Sequence, residues 1–139
     1  MKSIYKTTDS ATTEALGEAL ASRFRGQKIL LFGELGVGKT TFLRGLARGL
    51  RIKSKIKSPT FVGEHIHKIS PTEKLIHLDL YRVESLEVEK AERLQELFVS
   101  RDTVVIEWSE RLPKKLLPQK RIELRFSELK SGERKITII

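Results

Sequence analysis

KILLFGELGVGKTTF, residues 28–42, decides how the rest of the chain is read. Lys28 to Phe32 is a short, continuous apolar run, the pattern of a strand buried on both faces of a parallel sheet. Gly33 to Thr40 then satisfies G-x-x-x-x-G-K-[ST] at every defined position. Thr40 to Leu50 follows as an amphipathic helix with Phe42, Leu43, Leu46 and Leu50 on one face. Strand, glycine loop and helix together are the context that gives this motif its meaning. The glycines let successive backbone amides turn inward as an anion nest at a helix N-terminus. Lys39 can reach terminal phosphates as a point charge, and the Thr40 hydroxyl can ligate magnesium. The loop is therefore expected to bind a nucleoside triphosphate. Nothing in the chain matches the N-K-x-D segment that reads guanine, so ATP is the expected nucleotide, with Mg2+.

Outward from the loop, the chain of 139 residues is long enough for one domain with a real core, and a single domain over 1–139 is expected. Ile4 alternates with Lys2 and Lys6 in a weak strand signal. Thr8, Asp9 and Ser10 offer N-caps for a helix whose apolar residues run from Ala11 to Phe24, ended by Arg25-Gly26. Residues 51–60 read as a loop. Phe61–His67 and Leu75–Leu80 read as a hairpin through Ser70-Pro71, and Glu84–Phe98 as a charged amphipathic helix. Thr103–Ile106 is a second buried-strand run, Pro113 and Pro118 bracket a basic linker, and Arg121–Phe126 and Lys135–Ile139 read as final strands. The sum is an α/β fold: a P-loop NTPase-like three-layer sandwich with a mainly parallel central sheet plus antiparallel strands.

Composition excludes several functions. There is no cysteine, hence no disulfide, thiolate zinc site or cysteine nucleophile. No apolar run approaches the roughly 18 residues of a membrane span, and MKSIYKTTDS has no apolar stretch after its lysines, so neither a membrane nor a secretory signal is expected. These features point to the cytoplasm. A net charge of +9 favours polyanionic partners or is simply a solvated basic surface. Arg51, Lys53, Lys55 and Lys57, and the segment 111–121, are basic clusters with the same two readings. His65 and His67 alternate on one strand and share a face, without a third clustered ligand for a metal. His77 reads as a core or near-site histidine, and Trp108 either packs or stacks on a ligand.

Two strand-terminal carboxylates compete to serve the metal. Asp79 ends Leu75-Ile76-His77-Leu78-Asp79, and Glu107 ends Val104-Val105-Ile106-Glu107. The second run is the more purely apolar, hence the more central in a sheet and the nearer to the loop, which favours Glu107.

FGELGVGKTTFLRGLARGL, SPTF (58–61), HLDLYR (77–82) and IEW (106–108), in that order and spacing, resemble the bacterial TsaE (YjeE) family over almost the whole chain. The resemblance implies a small ATPase needed to make N6-threonylcarbamoyladenosine (t6A) at position 37 of tRNAs that decode codons beginning with adenine. It implies TsaD and TsaB as partners, TsaD performing the transfer, with tRNA met through the complex. By the same resemblance Thr40 and Glu107 are the magnesium ligands and Asp79 acts in catalysis with Lys39. Ser10, Leu35, Gly36, Val37, Gly38, Lys39, Thr40 and Thr41 hold the nucleotide. Ser58 and Thr60 lie on a switch-like loop, and Trp108 is near the nucleotide. Two departures stand out: Glu34 where the family commonly has aspartate, and a glycine-free EKAERLQELFVSRD before the IEW strand. A small-molecule kinase and an ATP-gated interaction module are the competing readings of the loop.

Overall fold

The computed structural model describes residues 2–34, 38–53, 63–80 and 88–139. Leu35, Gly36, Val37, the SPTF segment with Ser58 and Thr60, Lys55, Lys57, Tyr81-Arg82 and the expected helix start at residues 84–87 lie outside them.

Among the described residues seven strands form one sheet: β1 (Ser3–Thr7), β2 (Lys28–Phe32), β3 (Glu64–Lys68), β4 (Lys74–Asp79), β5 (Thr103–Glu107), β6 (Ile122–Glu128) and β7 (Arg134–Ile138). Their order is β1-β7-β6-β2-β5-β4-β3. The inner four, β6, β2, β5 and β4, pair in parallel. The outer pairings, β1 with β7, β6 with β7 and β3 with β4, are antiparallel. The expected sheet, parallel within and antiparallel at its margins, is the one observed. β5 is buried at every residue and lies directly against β2, as its uninterrupted apolar run predicts.

Helices cover both faces. α1 (Ser10–Ala19), α2 (Ala21–Phe24) and α3 (Lys39–Gly49) enclose one core with Ile29, Leu31, Leu75, Val105, Leu124 and Ile136. α4 (Val88–Val99) places Leu94 and Leu97 against Leu30, Ile76, Val104 and Ile106 on the other face. Among the described residues no helix is long and apolar enough to cross a membrane.

Two details differ from expectation, and one open choice is decided. The first helix is two: α1 ends at Ala19 with Leu20 as its C-cap, and α2 begins at Ala21. Of the three offered caps Asp9 serves, its side chain accepting from the Thr12 amide while its own amide donates to the Thr12 hydroxyl, a reciprocal capping box that leaves Ser10 as the first helical residue. The basic linker at 111–121 contains the 3-10 turn Lys114–Leu116, and another, Ser109–Arg111, precedes it.

α1 and α3 pack unusually closely because glycines face the contact. A Cβ on Gly45 would lie 1.8 Å from the Glu14 carbonyl oxygen, and one on Gly17 would lie 2.3 Å from that of Phe42. Both clashes are with backbone, which cannot swing aside. Gly45→Ala is therefore expected to destabilise the protein by roughly 1–3 kcal/mol or more, read as a fall in Tm of roughly 5–10 °C. An unchanged melting curve would contradict this packing. Arg48 reinforces the same contact, donating to Glu14 and Glu18 at 2.9 and 2.8 Å. Such exposed pairs contribute about 1 kcal/mol or less.

Candidate functional site

β2, β4 and β5 run parallel, so their C-terminal ends meet at one edge, where ligands bind in open α/β sheets. β2 delivers the chain into the glycine loop, and α3 leaves it. Gly38 is the N-cap of α3 with φ +95°, a conformation that favours glycine, and no side chain caps the helix there. The first amides of α3 are thus left for an anion. Lys39 and Thr40 occupy the first turn, and Thr41 follows. Thr13 of α1 lies against the loop: its Cγ2 would be 3.5 Å from a Cβ on Gly38, which brings the α1 N-terminal turn, begun by Ser10, beside the site.

The two competing carboxylates are neighbours. Asp79 is the register partner of Glu107 across β4 and β5. Glu107, buried at 4% exposure, is the one that meets the loop helix: the Thr40 hydroxyl donates to its Oε1 at 3.4 Å. Its Oε2 accepts from His77 Nε2 at 2.7 Å, and His77 is fully buried. Asp79 is half-buried at the mouth of the same edge.

Lys39 is buried at 5% exposure. Its Nζ donates to the Gly33 carbonyl and stands 4.0 Å over the Trp108 ring, a cation–π contact strengthened by desolvation. Burial pushes the Lys39 ammonium down from its ordinary value, and the charges of Glu107, Glu110 and Asp79, in that order, oppose the shift. Glu110 also closes on the loop, accepting from the Gly33 amide at 2.9 Å. The Lys39 ammonium thus sits at the sheet edge under the influence of three carboxylate charges.

Whether these residues suit magnesium is a question of donor chemistry. Among the described residues no group of three or more His, Cys, Asp or Glu side chains is arranged as a metal cage. Mg2+ is usually held by one or two protein oxygens together with substrate phosphates and water. A hydroxyl and a carboxylate oxygen 3.4 Å apart, beside a helix N-terminus with no side-chain cap, suit that mode.

The structure thus brings together Gly38, Lys39, Thr40, Asp79 and Glu107 and adds Ser10's helix beside them. It also bears out that His65 and His67 share a face, with ring centroids 6.2 Å apart, and puts His65 6.5 Å from His77. Burial lowers the His67 pKa first, followed by the neighbouring charges of His77 and His65. Trp108 packs at the edge of the second core, as one of its two readings has it, and its ring also lies against the Lys39 ammonium. Glu110 and the His77–Glu107 contact were missed. The Glu110 signal was its place three residues beyond the strand end, at the depth of one 3-10 turn; the His77 contact needs strand register.

Against known proteins, the family model for threonylcarbamoyl adenosine biosynthesis protein TsaE matches residues 7–136. The chain is 33% identical over 136 residues to the tRNA threonylcarbamoyladenosine biosynthesis protein TsaE of Bacillus subtilis strain 168, covering 96% of this chain and 82% of that one. It is 38% identical over 97 residues to the protein of the same name from Streptomyces coelicolor, covering 68% of this chain and 66%, just under two thirds, of that one. The crystal structure of YdiB from Bacillus subtilis superposes with a TM-score of 0.78 at 28% identity, over 99% of this chain and 84% of that chain. The architecture, the loop–helix–carboxylate edge and these relatives agree: the chain belongs to the TsaE family of threonylcarbamoyl adenosine biosynthesis proteins.

Proposed function

We propose that this protein is a Mg2+-dependent ATPase that serves t6A formation at position 37 of tRNAs decoding codons beginning with adenine. It acts in the cytoplasm with TsaD and TsaB and does not itself perform the transfer to tRNA. The observation that carries this reading is the convergence of Lys39, Thr40, Glu107 and Asp79 at the C-terminal edge of β2, β4 and β5. The family name supplies the pathway.

Each residue has a distinct task. The first amides of α3, with Gly38 and the preceding loop residues, receive the phosphates, and Lys39 leaves Gly33 and Trp108 to pair with the terminal ones. Thr40 and Glu107 supply oxygens to the metal. When bound, Mg2+ neutralises charge on the phosphate oxygens. Asp79, beside Glu107, orients the attacking water.

β2, β4 and β5, whose ends form this edge, carry no arginine of their own. A transition-state arginine is worth roughly 10³ to 10⁵ in rate. Hydrolysis by the isolated protein is accordingly expected to be slow, and to rise at least about tenfold in a complex with TsaD and TsaB that completes the site. Steady-state phosphate release, with the protein alone, with each partner and with both, tests this. Free phosphate should be the sole product, whereas transfer to a small acceptor would favour a kinase. An unchanged rate in a complex shown to have formed would leave ATP binding, not hydrolysis, as the event the partners sense.

A further inference from the structure

Glu107 is gripped from two sides. Oε1 accepts from Thr40 on α3, and Oε2 accepts from His77 on the neighbouring strand. His77 stands in register with Val105, two residues before Glu107, and so shares its face of the sheet. It is 0% exposed, and its second ring nitrogen, Nδ1, has no hydrogen-bond partner. An unsatisfied buried polar atom costs about 1–3 kcal/mol. An apolar residue would avoid that cost, as Leu75 does on the same face two positions earlier. Packing alone therefore does not account for a histidine here, whereas its short bond to a carboxylate does.

We infer that His77 is a positioning residue for Glu107, fixing the carboxylate so that Oε1 stays on Thr40 and the group stays off Lys39. The need for such a restraint is visible in the site. Lys39 is buried, and Glu107 is the foremost of the three carboxylates acting on it. In dry surroundings opposite charges attract strongly, and a freely rotating Glu107 would close on the ammonium. That pairing would consume both the phosphate cation and the metal oxygen. His77 occupies Oε2 and competes with it, as outer-shell partners of metal ligands commonly do. This inference rests on the reading of Glu107 as a magnesium ligand.

The test uses His77→Asn and His77→Gln. Asparagine puts an amide near the position of Nδ1 and falls short of Glu107; glutamine reaches the position of Nε2. ATP binding is titrated calorimetrically in EDTA and in excess Mg2+. The magnesium-dependent gain in affinity should fall by about 10- to 100-fold in His77→Asn, affinity in EDTA should fall as well because Glu107 then occupies Lys39, and both should be largely restored in His77→Gln. On a Glu107→Ala background His77→Asn should have no further effect, as a residue acting through Glu107 requires. A protected imidazole Nε2–H resonance in the NMR spectrum of the wild-type protein, lost in Glu107→Ala, supplies a readout independent of either His77 variant. The inference is overturned if His77→Asn keeps the full magnesium gain, if its loss persists without Glu107, or if no such resonance exists. Wild-type ATP binding that is indifferent to Mg2+ would instead bring down the metal reading itself.

Discussion

Lys39→Ala is expected to weaken ATP binding at least about 100-fold while leaving the fold intact. Removing one partner of a desolvated, hydrogen-bonded charge pair costs about 2–5 kcal/mol, and Lys39 is the only cation in the first turn of the helix that follows the loop. Although buried, its ammonium is held by a backbone carbonyl, an aromatic face and nearby carboxylates, not by core side chains. Its removal relieves a desolvated charge and leaves the hydrophobic clusters whole. Calorimetry for affinity and a thermal melt for fold are the two readings needed. Near-normal affinity in a folded Lys39→Ala protein would remove the nucleotide assignment.

The carboxylates should separate binding from chemistry. Glu107→Ala takes away the oxygen that faces Thr40, so magnesium-dependent ATP binding should weaken and hydrolysis fall by about 100-fold or more, since the metal stabilises several kcal/mol of transition-state charge. Asp79→Ala should leave Mg-ATP bound and slow hydrolysis by about 10² to 10⁴, the range for a positioned proton acceptor. Calorimetric titration beside single-turnover hydrolysis distinguishes the two. The reverse pattern would exchange their roles.

How far the sequence carried can be judged residue by residue. The central strands were legible because burial on both faces leaves an uninterrupted apolar run, as in Thr103–Ile106, and that run did identify the strand beside β2. The choice of Glu107 over Asp79 followed from this, and it is Glu107 that touches Thr40. The break between α1 and α2 was not legible, since Leu20 and Ala21 continue the apolar periodicity and neither is a helix breaker. Trp108 adopts φ +58°, a left-handed conformation that residue type does not announce; the turn it makes sends Glu110 back to the Gly33 amide. His77 and Glu107 lie thirty residues apart in the chain. Their contact depends on which strands neighbour each other and in what register, information carried by the assembled sheet and not by local pattern.

Binding of ATP with Mg2+ through Lys39 at this edge has a reporter built in. Trp108 is the only tryptophan of the chain, and its ring lies 4.0 Å from the Lys39 ammonium. Titrating the wild-type protein with ATP and Mg2+ while following tryptophan emission should give a saturable change as the lysine leaves the ring for phosphate, tighter with Mg2+ than with EDTA and absent in Lys39→Ala. A folded wild-type protein whose emission and heat signal both stay flat across the titration would contradict the account.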